Sequence, residues 1–338
     1  MGFKDVVGHE RIKHILQRAL EKERLPNSLL FCGPEGVGKR RMAFALARAL
    51  CCQRLKDDAC DACGPCRSIK EGERKGENRY PDVMLVFPDP KSDTIRTETI
   101  KEIREIAYIK PLMGRKRVII IDGVQQDIMA DEALNALLKV LEEPPAFTHF
   151  ILIADNPDLV LSTIKSRCRI LSFSRVSDFD IEQELRAKGQ DQDRAKLLAV
   201  LSRGNLEQAL AFDWEDLSAR RLAAWDMFRA LLRKENARIF LDSYGFLKRK
   251  AAKEELPQVL EMFSAFGRDL IVLKEGGDSR LLLNPDFEDR LRRESAGLTL
   301  DQAVRFLALV DEVLAGLDKR LNIGLLVSAF YSSIMNRL

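Results

Sequence analysis

The chain lacks the long apolar runs and the charge imbalance that mark several classes of protein. Its longest apolar stretches, such as Val118–Ile121 and Ile151–Ala154, are far shorter than the roughly 20 residues that a membrane-spanning helix needs. Met1–Asp5 contains no apolar signal region, so the protein is expected to stay in the cytoplasm. Lysine and arginine number 55 against 52 acidic residues, a net charge of +3. Nucleic-acid binding by bulk charge alone is therefore not expected.

The composition describes a globular protein with enough apolar mass for more than one core. Of 338 residues, 46% are hydrophobic and 32% are charged. Up to residue 173, short apolar runs alternate with helical patterns, which predicts a parallel sheet covered by helices on both faces. The predicted strands are Leu29–Cys32, Asp82–Phe87, Arg117–Ile121, Phe150–Ala154 and Ile170–Phe173. The predicted helices between them are Lys39–Cys52, Thr97–Ile109 and Asp131–Leu141, of which the last must end before Pro144-Pro145.

From Ser174 onward the sequence predicts helices alone. Three are short and five are longer, and no strand series interrupts them. The short helices are Phe179–Ala187, Asp193–Leu201 and Leu206–Phe212. The longer ones are Leu217–Leu232, Ala237–Lys250, Leu256–Leu273, Leu300–Leu317 and Ile323–Leu338.

A glycine-rich loop between the first strand and its helix is typical of a phosphate-binding site. Gly33, Gly36, Gly38 and Lys39 form the pattern Gly-x-x-x-x-Gly-Lys. The glycines let backbone N–H groups turn towards phosphate oxygens, and the lysine and the helix N-terminus add positive charge. The alternative interpretation is a tight strand–helix turn without a ligand.

Two positions, 40 and 123, depart from what ATP hydrolysis requires. Arg40 stands where a Mg²⁺-binding hydroxyl is needed, and a guanidinium cannot bind a cation. Asp122 ends an apolar strand and fits a metal-orienting carboxylate, but the next residue is Gly123, where a water-activating glutamate is needed. The sequence therefore predicts a vestigial nucleotide site at Gly33, Gly36, Gly38, Lys39 and Asp122.

Clustered cysteines predict a structural zinc site. Cys60, Cys63 and Cys66 form two consecutive Cys-x-x-Cys steps, and either Cys51 or Cys52 is expected to be the fourth ligand, with Cys52 preferred. Four thiolates without an open position are typical of structural Zn²⁺. An iron–sulfur cluster and free packed thiols are the alternatives.

At this point the chain resembles a known family. The segments Phe3–His9, Gly33–Lys39, the cysteine cluster, Asn135–Pro145 and Ser166-Arg167-Cys168 occur in the order found in AAA+ clamp-loader subunits of bacterial DNA polymerase III. The likeness covers roughly residues 3–173, and it is greatest to the delta-prime type.

The resemblance implies three domains: an AAA+ α/β domain at 1–173 with a zinc module at about 51–66, a helical lid at 174–213 and a helical collar at 214–338. It implies a pentamer with delta and gamma/tau subunits that uses ATP to load a sliding clamp on primed DNA, within the DNA polymerase III holoenzyme. The family's motor subunits carry an arginine in the lid, where this chain has Glu207. Asp155 follows the fourth strand, where a negative charge would repel a γ-phosphate.

These departures favour a subunit that does not hydrolyse ATP and binds ATP or ADP weakly or not at all. The resemblance assigns Arg167 as an arginine finger that reaches the ATP of the neighbouring subunit. Two other hypotheses remain open: an ATP-hydrolysing motor subunit of the same loader, and a zinc-stabilised DNA-binding module unrelated to clamp loading.

Overall fold

A computed structural model describes residues 2–89, 92–234, 252–318 and 323–337, which form two compact units. The first unit comprises Met1–Ile181 with Gly204–Glu207, and the second Glu182–Arg203 with Gln208–Leu338. None of the helices within the described ranges has both the length and the apolar composition needed to cross a membrane.

The first unit is built on a five-stranded parallel sheet. Its strands are β1 (Ser28–Cys32), β2 (Val83–Val86), β3 (Arg117–Asp122), β4 (Thr148–Ala154) and β5 (Arg169–Ser172). They lie in the order β2-β3-β4-β1-β5, and every pair is parallel. The three central strands are almost entirely buried because helices cover both faces, which is why they read as continuous apolar runs. All five predicted strands are confirmed within one or two residues.

The helices of the first unit include three for which the sequence analysis gave no bounds, at Glu10–Glu21, Gly64–Lys75 and Ser162–Arg167. The helices that lie wholly within it are α1 (Glu10–Glu21), α2 (Lys39–Cys51), α3 (Gly64–Lys75), α4 (Thr97–Ala107), α5 (Asp131–Glu142) and α6 (Ser162–Arg167). The amphipathic helix α1 buries Ile12, Leu16 and Leu20 at helical spacing, so its signal was present. The helix α3 starts inside the cysteine motif and has only a short apolar stripe, which explains why it escaped prediction.

The remainder of the described chain is helical, as predicted, although the helix at Glu288–Ala296 was not among the predicted ones. Its helices are α7 (Asp178–Ala187), α8 (Gln192–Leu201), α9 (Leu206–Ala211), α10 (Trp214–Leu232), α11 (Ala252–Lys274), α12 (Glu288–Ala296), α13 (Leu300–Asp318) and α14 (Ile323–Arg337). The predicted helix Ala237–Lys250 lies outside the described residues. The core of the second unit contains the aromatic rings of Trp225, Phe228, Phe263, Phe266 and Phe306. The proposed division at residues 173 and 213 stays a prediction.

The buried histidine at the start of β4 makes stability depend on pH. His149 is 3% exposed, its Nδ1 donates to the carbonyl of Pro26 at 3.2 Å, and burial lowers its pKa from 6.5 to about 4. Between those values the unfolded chain binds more protons than the folded one, so stability falls as the pH falls through this window. The cost is about 1.4 kcal/mol per pH unit.

We expect the parent protein to lose about 2 kcal/mol more than His149→Asn between pH 7 and pH 5, because asparagine cannot take up that proton. Urea unfolding of both proteins at the two pH values measures the difference. Equal losses would mean that His149 does not titrate in this window.

Candidate functional site

A cavity of about 280 Å³ opens at the carboxyl ends of β1, β3 and β4. It lies between the glycine-rich loop after β1, the end of β3 and the residue after β4. It is lined by Glu35, Gly36, Gly38, Lys39, Arg40, Pro88, Asp122, Gly123, Ile128, Ile153, Asp155 and Glu207. The structure thus brings the predicted nucleotide-site residues together, except that Gly33 is not among the described lining residues.

The glycine-rich loop is closed from one side by the segment at Asn205. Gly36 has φ +71, and a Cβ atom there would lie 1.9 Å from Oδ1 of Asn205. The backbone N–H of Glu207 donates to the carbonyl of Gly36 at 3.2 Å. Any larger residue at position 36 would have to displace the side chain of Asn205, and the positive φ disfavours L-residues, so both space and backbone conformation favour glycine.

Lys39 has all three of its N–H donors engaged by the protein. Its ammonium donates to the carbonyl oxygens of Gly33 at 2.7 Å and Pro34 at 2.5 Å, and it lies 2.7 Å from Oδ1 of Asp155. An ammonium has three donors and no more. A phosphate could gain this lysine only by displacing one of these partners.

Arg40, which stands where the motif has a Mg²⁺-binding hydroxyl, forms an ion pair with Asp122. Its Nε donates to Oδ2 of Asp122 at 2.7 Å. The carboxylate expected to orient Mg²⁺ is therefore neutralised by the residue that replaced the Mg²⁺-binding hydroxyl. The ion pair takes over the charge role of a cation without its Lewis acidity.

The backbone at Gly123 is unsuited to a glutamate. Gly123 has φ +99, a conformation that L-residues rarely adopt, and an added Cβ atom would lie 3.0 Å from Cγ2 of Ile128 and 3.3 Å from Cγ of Pro88. The missing water-activating residue therefore cannot be restored without a change in the local backbone.

The charged side chains that line the cavity are unfavourable to an anion. Four carboxylates, from Glu35, Asp122, Asp155 and Glu207, face two cations, Lys39 and Arg40, which gives a formal charge of −2. Burial and the proximity of Asp155 raise the pKa of Glu35 above its ordinary value, as expected where negative charges crowd. A triphosphate would add further negative charge to this surrounding.

Sequence reasoning found no role for His9, which contacts the glycine-rich loop. His9 has φ +58 and its Nε2 donates to the carbonyl of Val37 at 2.8 Å, while its ring packs edge-on against Phe173 at 4.8 Å. Burial lowers its pKa, so the neutral form is favoured. The signal in the sequence was its place in the segment Phe3–His9, which is one of the segments that carry the resemblance.

Four cysteines form a second candidate site at the end of α2. The sulfur atoms of Cys52, Cys60, Cys63 and Cys66 all lie within 4.8 Å of one another. Cys51 points elsewhere, because its thiol contacts the carbonyl of Lys116 at 4.0 Å and burial raises its pKa to about 12. The geometry therefore selects Cys52 as the fourth member.

The donor set and its surroundings fit a metal ion. Backbone N–H groups of Leu55 and Cys63 donate to the sulfurs of Cys52 and Cys60, both at 3.3 Å, as is common for thiolates. The backbone N–H groups of Ala62 and Cys63 hydrogen-bond the sulfur of Cys60 and lower the pKa of its thiol to about 6. The bond from Ala62 has the larger effect. A tetrahedral ion with bonds of about 2.3 Å needs sulfurs about 3.8 Å apart, which is compatible with four sulfurs that all lie within 4.8 Å of one another.

Arg167 lies far from the chain's own cavity. It ends α6 and is exposed, and the pairing of Leu29 with Arg169 places it near the start of β1, whereas the glycine-rich loop follows the end of β1. The length of β1 separates the two by about 16 Å. The guanidinium instead bonds Glu142, at 2.6 Å.

The sheet order, the glycine-rich loop after β1 and the helical second unit define an AAA+ type of protein. The family model described as "DNA polymerase III, delta subunit" matches residues 8–177, and the chain belongs to this family.

Similar proteins carry related names. The chain is 30% identical over 282 residues to DNA polymerase III subunit delta' of Bacillus subtilis, covering 82% of each chain. It is 36% identical over 176 residues to subunit tau of the same organism, covering 52% of this chain and 29% of that one. A solved Bacillus subtilis DNA clamp loader delta protein is 11% identical, covers 96% of this chain and 100% of its own, and has a TM-score of 0.37.

Proposed function

We propose that this chain is a non-hydrolysing subunit of a bacterial DNA polymerase III clamp loader, of the delta-prime type. In this role it assembles with delta and gamma/tau subunits, and the complex uses ATP to place a sliding clamp on primed DNA. The observation that carries the proposal is the state of the nucleotide-type cavity, in which Lys39 and Arg40 are both bound to carboxylates of the same chain. Membership of the family and the relationship to a delta' subunit across 82% of each chain support it.

Within that complex, Arg167 acts on a neighbour's ATP rather than on a nucleotide of its own chain. Its exposure and its position away from the cavity support this role. An arginine remains charged and can bind two phosphate oxygens at once, so it stabilises the charge that develops during γ-phosphate cleavage. The tetrathiolate site holds Zn²⁺ and has a structural role.

The same architecture in an ATP-hydrolysing motor subunit is the second candidate. The intact Gly33, Gly36, Gly38 and Lys39 and the similarity to a tau subunit favour it. The occupied Lys39, the Arg40–Asp122 pair and the −2 cavity oppose it.

Steady-state ATP hydrolysis by the purified chain decides between the two. We expect no turnover above the level of a Lys39→Ala control, because no Mg²⁺ ligand replaces Arg40 and no residue activates water. Arg40→Thr should leave hydrolysis absent, because Gly123 and Glu207 remain. A turnover of about 1 s⁻¹ or more that Lys39→Ala abolishes would contradict the proposal.

Replacing Arg167 tests the proposed role in trans. Arg167→Ala should fold and assemble with the other subunits, but the DNA- and clamp-stimulated ATPase of the rebuilt complex should fall. An arginine finger contributes a factor of about 10³–10⁵ to the rate of ATP hydrolysis at the site it contacts. The complex should therefore lose nearly all hydrolysis at that one site and keep the hydrolysis at its other ATP sites. Arg169→Ala, at an exposed position two residues away, serves as the matched control. Unchanged ATPase and clamp loading in a complete complex would make Arg167 an ordinary surface residue.

A further inference from the structure

Arg167 is held between the ends of two helices. Its Nη1 donates to the carbonyl of Thr163 at 2.9 Å and approaches Oγ of Ser166 at 3.4 Å, both within α6. Its Nη2 donates to Oε1 of Glu142, the last residue of α5, at 2.6 Å. The guanidinium therefore has one anchor on its own helix and one on a different helix.

The position of Glu142 is fixed by the turn that follows it. Because Pro144 disfavours helical backbone at Glu143, α5 ends at Glu142. The turn is then tied to the chain before β1, since Nδ2 of Asn27 donates to the carbonyls of Pro145 at 3.0 Å and Thr148 at 2.7 Å. The carboxylate of Glu142 therefore extends from backbone that these hydrogen bonds hold in place.

The contacts leave the arginine able to bind an oxyanion. An arginine has five N–H donors. After the bonds to Thr163, Ser166 and Glu142, Nε–H and one Nη2–H have no acceptor among the described residues. The side chain of Arg167 is 32% exposed and that of Glu142 is 51% exposed. The protein thus holds the guanidinium through three of its N–H donors, and the other two, on Nε and Nη2, are available to a ligand.

We propose that Glu142 is a positioning residue for Arg167, which holds the guanidinium in the orientation that meets a neighbour's phosphate. The inference rests on the proposed role of Arg167 in trans. An arginine that is already ordered loses less conformational freedom when it binds, and a small misplacement of a charged group lowers the rate strongly. A partly exposed ion pair adds little to folding stability, so its loss should appear in the rate of ATP cleavage rather than in the melting temperature.

The experiment uses rebuilt clamp-loader complexes that contain Glu142→Ala, Glu142→Gln, Glu143→Ala or Arg167→Ala, and the double variant of Glu142 and Arg167. We expect Glu142→Ala to cause at least half of the decrease in kcat that Arg167→Ala causes, with KM for ATP unchanged. Glu142→Gln keeps an acceptor oxygen and should retain most of the rate. Glu143→Ala changes an exposed neighbour and should match the parent. In the Arg167→Ala background, Glu142→Ala should have no further effect.

The outcomes separate the two proposals. If Arg167→Ala lowers the rate while Glu142→Ala does not, or if Glu142→Ala is faster than the parent, positioning by Glu142 is wrong and the role of Arg167 stands. A Glu142→Gln complex as slow as Glu142→Ala, or an additive double variant, also overturns it. If Arg167→Ala itself has no effect in a fully assembled complex, the role in trans is wrong, and the inference falls with it.

Discussion

Removal of metal should unfold the segment from Cys52 to the end of α3 while the sheet stays folded. In this segment the buried cluster consists of Ala59, Cys63 and Cys66, with Cys52 and Cys60 packed against it. Apart from this cluster the segment buries few apolar side chains, such as Ile69 of α3, so we expect the proposed metal to supply much of the free energy that keeps it folded. Zinc contributes about 10–16 kcal/mol to the folding of isolated zinc-finger peptides, so the effect should be large.

The measurement is elemental analysis combined with hydrogen exchange. Protein purified without chelator should contain one zinc per chain and show no visible absorption of an iron–sulfur cluster. Cys63→Ser should lose the metal and the exchange protection of α3. Cys51→Ser alters a buried thiol outside the cluster and should keep the metal. Metal-free protein in which α3 is fully protected would contradict a structural metal.

The same experiment should reach the N-terminus. Asp58 lies between Cys52 and Cys60 in the chain, and its Oδ1 accepts the N–H of Phe3 at 2.9 Å. The Phe3 ring is fully buried. If metal loss frees the loop that contains Asp58, the amide of Phe3 should exchange faster as well. Continued protection of that amide would show that the burial of Phe3 is sufficient to hold the segment.

Asp82→Ala should destabilise the first unit by about 3–5 kcal/mol. The Asp82 carboxylate is fully buried and accepts the backbone N–H groups of Leu112 at 2.6 Å, Met113 at 2.8 Å and Gly114 at 2.7 Å. The guanidinium of Arg117, 6% exposed, lies 3.7 Å away. Without the carboxylate, three amides lose their acceptor and a buried cation loses its counter-charge.

Urea unfolding gives the size of the effect, and hydrogen exchange at residues 112–114 gives its location. Asp158→Ala removes an exposed carboxylate and should change stability by less than about 0.5 kcal/mol. Asp82→Asn retains one acceptor oxygen, so its stability should lie between that of Asp82→Ala and that of Asp158→Ala. The loop matters because Leu112 is 74% exposed and Met113 is 69% exposed, so the buried carboxylate holds apolar side chains in water. An Asp82→Ala protein as stable as the Asp158→Ala protein would contradict this assignment.

The sheet could be predicted because burial on both faces leaves a direct trace in the sequence. The run Arg117–Ile121 has no polar residue after its first, and the structure extends it only to Asp122. The membership of the cysteine cluster was predicted for the same kind of reason, since the Cys-x-x-Cys spacing is local. Local spacing could not choose between Cys51 and Cys52, because the choice depends on how α2 ends.

The ion pairs of the site were harder to predict. Arg40 and Asp122 were each placed beside the same missing metal, so their contact could have been inferred from the motif. The pairing of Lys39 with Asp155 and of Arg167 with Glu142 depends on side-chain orientation across separate elements. No periodicity in the sequence records such contacts. His9 escaped for the same reason, because its partner at Val37 is 28 residues away.

If the chain is a non-hydrolysing subunit, as we propose, the Arg40–Asp122 pair bears on whether ATP hydrolysis could be gained by substitution. A change of Arg40 to threonine would leave Asp122 without its cation among Glu35, Asp155 and Glu207, so this substitution alone would concentrate negative charge. A glutamate at Gly123 would meet Ile128 in a backbone conformation that favours glycine. Each of these single substitutions is therefore disfavoured until the others are present. The residues of the cavity therefore depend on one another, and selection acting on one residue at a time could not easily convert the site into one that hydrolyses ATP.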